Sequence, residues 1–386
     1  MEGNLDSTEA ARRLGVKVST LYAYVSRGLI SSVRDPDSRM SVFAIEDVEE
    51  LARRSRGGRS METRVATITT SVTHLTSAGP LYRGTPAISL IDEPFEKVAH
   101  LLWRVPAFEW QALEFDMPRG GSASELLRAA IPLIGALDPV RSDQRRQAVT
   151  RAVSTVIATL ARRIPEREAV PSARAPLSVS DLLAYWLAGS KKPSAALVRA
   201  TNATCVLLAD NELAPSTFGV RLAASTRADI YDALIAGLGV LGGTLGGANS
   251  EIAARLLLDA KDRGASRAID DHIRTGATLP GFGGLTYPDG DPRFAVMLPL
   301  LNGIMTDAQR AIVTELLAVA RERDFPEPNM YLAVGLLVFA TGAPVEAGSF
   351  IFGLSRIPGW TAHYLEELRE PALRFRARAV YATSRE

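Results

Sequence analysis

The chain is poor in the residues that most often do chemistry. Its 386 residues hold four histidines and one cysteine. A single thiol excludes an internal disulfide and a multi-cysteine metal site. Within Ala203–Ala209, Cys205 reads as a small buried apolar residue. His74, His100, His272 and His363 have no companions at ligand or triad spacing, so no metal and no resident cofactor are expected. Phosphate loops, zinc motifs and nucleophile elbows are missing as well. No apolar run reaches membrane-spanning length. The first twenty residues carry charges throughout and no apolar leader. A cytoplasmic location is therefore expected, with no membrane partner. Neither sign of charge is in excess: 44 basic residues face 43 acidic ones. That excludes a strongly basic protein but leaves room for a local basic patch.

What is present begins with a small module. Asp6 precedes Glu9 by three positions, a capping-box-like helix start. A helix follows through Ala10, Ala11 and Leu14, and Gly15 ends it. Ser19 opens a second helix, with Leu21 and Val25 inward and Gly28 at its end. Residues 31–43, punctuated by Ser, Asp and Pro, suit a small β wing, and Ile45, Val48, Leu51 and Ala52 mark a third helix. Glu9–Val16, Thr20–Tyr24, Arg27–Ile30, Arg39 and Glu46–Val48 resemble the winged helix-turn-helix of the MerR and excisionase type. From Arg12 to Arg39 there are six basic and two acidic side chains, a face suited to phosphates. The resemblance implies DNA as a partner. Lys17, Ser19, Thr20, Tyr22 and Tyr24 lie at the start of the reading helix, and Arg27, Arg34 and Arg39 are the further contacts. The plainer alternative is a solvated face with Tyr22 or Tyr24 packed locally. Residues 1–54 form this module and 55–61 a polar linker.

From Val65 the pattern changes. Val65–Leu75 is rich in Thr and Val and reads as short strands. The remainder is mostly helical, with apolar residues three and four apart over Glu125–Leu137, Leu182–Leu187 and Ile312–Ala320. Helices over Ala223–Leu238 and Tyr331–Ala340 are apolar on most sides and should be buried.

Leu241–Glu251, which contains Gly246-Gly247-Ala248-Asn249, resembles the citrate synthase signature. Leu81–Gly84, Leu208–Thr217, Pro280–Gly283, Asp291–Arg293, Pro328-Asn329, Arg356–His363 and Arg376–Tyr381 match further blocks of that family in order. The resemblance implies a mainly α fold. Its large domain would be 62–247 with 341–386, its small domain 248–340, with a ligand cleft between them and a homodimeric assembly. It also implies condensation of an acyl-CoA with a 2-oxo acid.

At the family's chemical positions this chain differs. The histidine before the signature becomes Asn211, and the enolate-side histidine becomes Leu245. The histidine after Gly-Phe-Gly becomes Gly284, its neighbouring arginine Leu285, and the carboxylate after Pro-Asn becomes Tyr331. Leucine and glycine side chains transfer no protons. Tyr331 is a poor base but a competent donor. Two arginines survive: Arg356, which the family uses to hold a carboxylate, and Arg376, which reaches the site from a partner subunit. With Asn211 they are the expected carboxylate pocket, and an acyl-CoA is a candidate ligand. The reading this favours is a non-catalytic metabolite sensor that regulates DNA. The alternatives are a divergent citrate or 2-methylcitrate synthase, or a modulatory subunit of an active paralogue.

Overall fold

The computed structural model describes residues 4–14, 16–26, 30–34, 40–45, 47–48, 68–115, 120–163, 177–189, 192–274 and 278–377. They fall into two compact units, Met1–Thr69 and Thr70–Glu386.

In the first unit, β1 (Asn4–Asp6) leads into α1 (Ser7–Leu14) and α2 (Val18–Ser26). β2 (Val33–Arg34) and β3 (Ser41–Ala44) complete an antiparallel sheet of order β1-β3-β2, with Leu5 opposite Phe43. Its core is Leu5, Ala10, Ala11, Leu21, Ile30, Phe43 and Val48. Asp6 Oδ1 accepts from the backbone N–H groups of Thr8 and Glu9, both at 2.8 Å, which starts α1 as expected. The box is not reciprocal, because the Glu9 carboxylate turns to Arg12 and Arg13 instead. The expected third helix lies largely outside the described residues.

The second unit opens with a hairpin, β4 (Thr73–Thr76), β5 (Gly79–Tyr82) and β6 (Thr85–Pro86). The strand begins at Thr73, later than Val65–Leu75 implied; residues 68–72 are not strand, and 65–67 are outside the described set. Helices follow: α3 (Phe95–Trp103), α4 (Ala123–Leu137), α5 (Arg146–Arg163), α6 (Val179–Leu187) and α7 (Ala195–Leu208). Then come α8 (Pro215–Ser225), α9 (Ile230–Leu241), α10 (Ala248–Arg263), α11 (Ala265–Ile273) and α12 (Pro292–Asn302). The last three are α13 (Asp307–Glu322), α14 (Met330–Thr341) and α15 (Ala347–Glu367).

The single helix expected over Ala223–Leu238 is two. Arg227 turns left-handed with φ 65°, and Asp229 caps a new helix by accepting from Asp232 N at 3.1 Å. Arg141 holds Asp229 in place. Apolar periodicity runs across this break, because both helices bury similar faces.

α15 is the axis of the unit. It packs against α3, α4, α5, α7, α8, α9, α10 and α14. Nearly every residue from Ala347 to Leu365 is buried, polar ones included. A helix buried all round brings its polar side chains into the core, where each needs a partner. Cys205 is fully buried on α7, as the sequence implied, and burial pushes its thiol up to about 12.

Candidate functional site

The polar residues of α15 face the turn that follows α7. Tyr82 of β5 fixes that turn: its hydroxyl lies 3.0 Å from Val206 O and 3.2 Å from both Leu207 O and Asp210 O. Burial pushes this phenol up to about 12, so it stays a neutral donor. Arg293, near the start of α12, closes another side. It forks onto Asp291 at 2.9 and 2.8 Å and donates to Asn211 Oδ1 at 3.1 Å. Its charge is thus matched by a carboxylate within the protein.

Arg356 is different. It is 3% exposed, and its Nε and Nη1 have no hydrogen-bond partner among the described residues. Its guanidinium carbon lies 5.3 Å from the centre of the Phe352 ring. Burial pulls its pKa below the usual arginine value, while Asp210 pulls the other way. Arginine keeps its proton in proteins. The result is a buried cation with open donors.

Asp210 is fully buried beside it. Its Oδ2 accepts from Glu212 N at 3.0 Å and faces His363 Nε2 at 3.3 Å. Burial alone would raise its pKa, but His363 and Arg356 outweigh burial and hold it below the usual carboxylate range. The other nitrogen of His363 meets Arg221 Nε at 3.1 Å and Nη2 at 3.0 Å. Arginine only donates, so Nδ1 accepts and the imidazole proton is assigned to Nε2. Arg221, itself fully buried, is neutralised by Glu367 at 2.8 Å and by Glu366. The chain Glu367–Arg221–His363–Asp210 therefore ends at the arginine pocket.

Tyr331 begins α14 and stacks on Phe352, with centroids 5.1 Å apart and planes 14° from parallel. Burial raises its pKa, which weakens it as a base and preserves it as a donor. Asn329 caps the helix at Tyr331 N (2.8 Å) and donates to Gly283 O at 2.6 Å. Gly281 N donates to Asn249 Oδ1 at 2.8 Å. Gly281 has φ 81°, and a β-carbon there would lie 2.7 Å from Leu332 Cβ, so only glycine fits this close approach.

The structure thus brings together Arg356, Asn211 and Tyr331 among the sequence candidates. Asn211 Oδ1 is taken by Arg293, which leaves Nδ2 as its ligand donor. Leu245 is 84% exposed and Leu285 fully exposed, and Gly284 has nothing within 4 Å of its missing side chain. Arg376 is exposed after α15, outside any helix or strand. Sequence reasoning missed Asp210, Arg293 and Tyr82 as site residues. Asp210 and Arg293 stood inside matched blocks; only their burial reveals that they build the pocket.

The remaining histidines stay outside it. His100 Nε2 accepts from Trp110 Nε1 at 2.9 Å within an aromatic cluster, and burial lowers its pKa. His272 meets Thr278 O, and His74 is exposed on β4. In the first unit Lys17, Ser19, Tyr22 and Arg34 are exposed and Thr20 is partly so. Tyr24 packs against the small core instead, since Leu21 and Phe43 bury the face it borders. Arg27 and Arg39 lie outside the described residues. No described helix is long and apolar enough to cross a membrane.

Residues 104–378 match the family model described as "Citrate synthase, C-terminal domain". The chain is 28% identical over 328 residues to a citrate synthase of Mycolicibacterium smegmatis, covering 76% of this chain and 86% of that one. A 2-methylcitrate synthase of Mycobacterium tuberculosis is 28% identical over 325 residues, covering 76% and 82%. Citrate synthase 2 of Bacillus subtilis is 29% identical over 359 residues, covering 84% and 95%. The fold is shared with the Thermoplasma acidophilum citrate synthase solved with carboxymethyl coenzyme A and oxaloacetate. That likeness has TM-score 0.66 and 22% identity, over 83% of this chain and 95% of that one. The match spans most of the chain, both in sequence and in fold, and this protein belongs to the citrate synthase family.

Proposed function

We propose that this protein binds a small 2-oxo acid at Arg356 and condenses it with an acyl thioester, the activity named for its citrate and 2-methylcitrate synthase relatives. The observation that carries this reading is the buried Arg356 cation with Nε and Nη1 open. A carboxylate offers two acceptors in the plane of a guanidinium, and removal from water strengthens the pair. Asn211 Nδ2 would serve a second ligand oxygen. Arg376 would reach the pocket from a partner subunit, so a homodimer is part of the proposal.

The residues present limit the chemistry. Tyr331, kept neutral by burial, would hydrogen-bond the oxygen that gains charge as the carbon–carbon bond forms. Leu245, Gly284 and Leu285 contribute no proton transfer. Each missing acid–base group typically costs about a hundred- to ten-thousand-fold in rate, so turnover is expected to be slow beside that of a full acid–base set.

A second reading is favoured by the solvent-exposed, aliphatic Leu245 and Leu285. In it the same pocket senses a carboxylate or an acyl-CoA without turnover. The first unit then contacts DNA through Lys17, Ser19, Thr20, Tyr22 and Arg34. Two copies in a dimer would read a palindromic site.

One experiment separates the two. Purified protein is given acetyl- or propionyl-CoA with oxaloacetate, and thiol release is followed beside a thermal-shift series with each ligand. Release that disappears in Arg356→Gln supports condensation. A rise in melting temperature without thiol release moves the case to the sensor. Neither response would sink both.

A further inference from the structure

Besides Arg356, one more buried donor beside the pocket is idle. Tyr287 sits in the loop between Gly283 and α12. Its chain neighbours Gly284, Leu285, Thr286, Pro288 and Asp289 are exposed, yet Tyr287 is only 9% exposed. The local backbone turns it inward. Gly290 N donates to Tyr287 O at 3.3 Å and closes a turn with Pro288 at its second position, where the fixed φ of proline suits it. Asp291 then caps α12 by accepting from Arg293 N at 3.0 Å. The turn folds the Tyr287 ring back onto Arg293, whose guanidinium carbon lies 5.4 Å from the ring centre.

That contact uses the face of the ring and leaves the hydroxyl over. The Tyr287 hydroxyl is buried with no hydrogen-bond partner among the described residues. A buried donor without an acceptor costs about 1–3 kcal/mol. The contact with Arg293 does not require it, since phenylalanine presents a similar ring face. Arg293 links this hydroxyl to the pocket. The same guanidinium donates to Asn211 Oδ1 at 3.1 Å, and its charge acts on Tyr287, Tyr331 and Arg356. Two phenols and the open arginine thus lie within electrostatic reach of one guanidinium. Burial raises the pKa of both phenols against the pull of Arg293, so both remain neutral donors. Asp291 neutralises Arg293, and Asp291 and Glu212 both oppose negative charge at Tyr287. This side of the pocket therefore disfavours a second carboxylate and suits an uncharged acceptor.

We infer that the Tyr287 hydroxyl donates to the oxo oxygen of a 2-oxo acid whose carboxylate is held by Arg356. This rests on the reading of Arg356 as the carboxylate anchor. The oxo oxygen is uncharged on binding and gains negative charge only as the carbon–carbon bond forms. Tyr287 and Tyr331 give it two preorganised donors, and neither gives up its proton. Gly284, three residues before Tyr287, has no side chain for this task.

The test is isothermal titration of the full chain with oxaloacetate and with succinate, which has the same two carboxylates and no oxo group. The native protein should bind oxaloacetate more tightly. Tyr287→Phe should lose about fivefold in oxaloacetate affinity, the scale of one neutral hydrogen bond, and should bind succinate as before. Its melting temperature without ligand should be unchanged or higher, because the unpartnered hydroxyl is gone. Equal affinity of the native protein for the two ligands would overturn the inference. So would an unchanged preference in Tyr287→Phe, which would leave the hydroxyl to a buried water. Equal losses for both ligands would overturn it as well, since Tyr287 would then shape the pocket without meeting the oxo group. Arg356→Gln tests the anchor separately. If that variant binds oxaloacetate as tightly as the native protein, or if the native protein binds neither ligand, the anchor falls and the assignment of Tyr287 falls with it.

Discussion

Gly359 of α15 presses directly on the turn that holds Asp210. Its N–H donates to Ala209 O at 2.9 Å, and an added β-carbon would lie 2.2 Å from Asp210 Oδ1. A methyl group there has no room. Gly359→Ala must push the turn away from α15, which breaks the His363–Asp210 contact and displaces Asn211. Overpacking of this kind costs about 1–3 kcal/mol. Urea denaturation should show that loss, and carboxylate affinity should fall with it. An unchanged midpoint would mean that the turn is free to shift.

Removing Arg356 should have opposite effects on the empty and the liganded protein. Its cation is buried with open donors, an arrangement that disfavours the folded state until a ligand pairs with it. Arg356→Met keeps the volume and the contact with Phe352. Asp210 loses one compensating charge but keeps His363 and the Glu212 N–H, so the empty protein should gain stability by at most about 1 kcal/mol. Loss of a buried ligand-binding charge costs about 2–5 kcal/mol in affinity, so oxaloacetate should no longer raise the melting temperature. Thermal shift with and without the ligand measures both. A destabilised empty variant would show that Arg356 is structural.

The stack of Tyr331 on Phe352 allows the hydroxyl to be removed without the ring. Tyr331→Phe should leave the melting temperature unchanged while thiol release falls about a hundredfold or more, the usual contribution of a hydrogen bond to developing charge. Equal rates in the two proteins would exclude the hydroxyl from the reaction.

Much of this was legible beforehand, and the gaps have a common cause. Ordered blocks such as Pro280–Gly283 and Pro328-Asn329 identified the fold because backbone constraints need particular residues. Gly281 has no space for a side chain, and Asn329 ties two chain segments together. Arg356 was legible for the same reason. The break at Arg227 was not, since apolar spacing continues through it. Nor were Asp210 and Arg293, whose importance comes from burial and from partners distant in the chain. Arg293 reaches Asn211, and His363 reaches Asp210, only once the helices have packed.

Glu96 presents the same problem away from the pocket, inside the matched segment Phe95–Trp103. It sits on α3, where its Oε1 accepts from Val179 N at 2.7 Å while Oε2 is buried without a partner among the described residues. Burial, more than any neighbour, raises its pKa above the ordinary glutamate value; Asp181 adds to the effect, and backbone donors oppose it. An acid with a raised folded-state pKa holds its proton more tightly when folded than when unfolded. The folded state is therefore unpenalised below the unfolded pKa. It loses stability as pH rises from there through the folded pKa, and the deficit persists at neutral pH. Glu96→Gln keeps the acceptor for Val179 N and removes the ionisation. The variant should match the native protein near pH 4 and exceed it at pH 7, by about 1 kcal/mol if the open oxygen dominates the cost. Melting temperatures across that range provide the check. A constant difference at every pH would show that Glu96 keeps the same charge whether folded or unfolded.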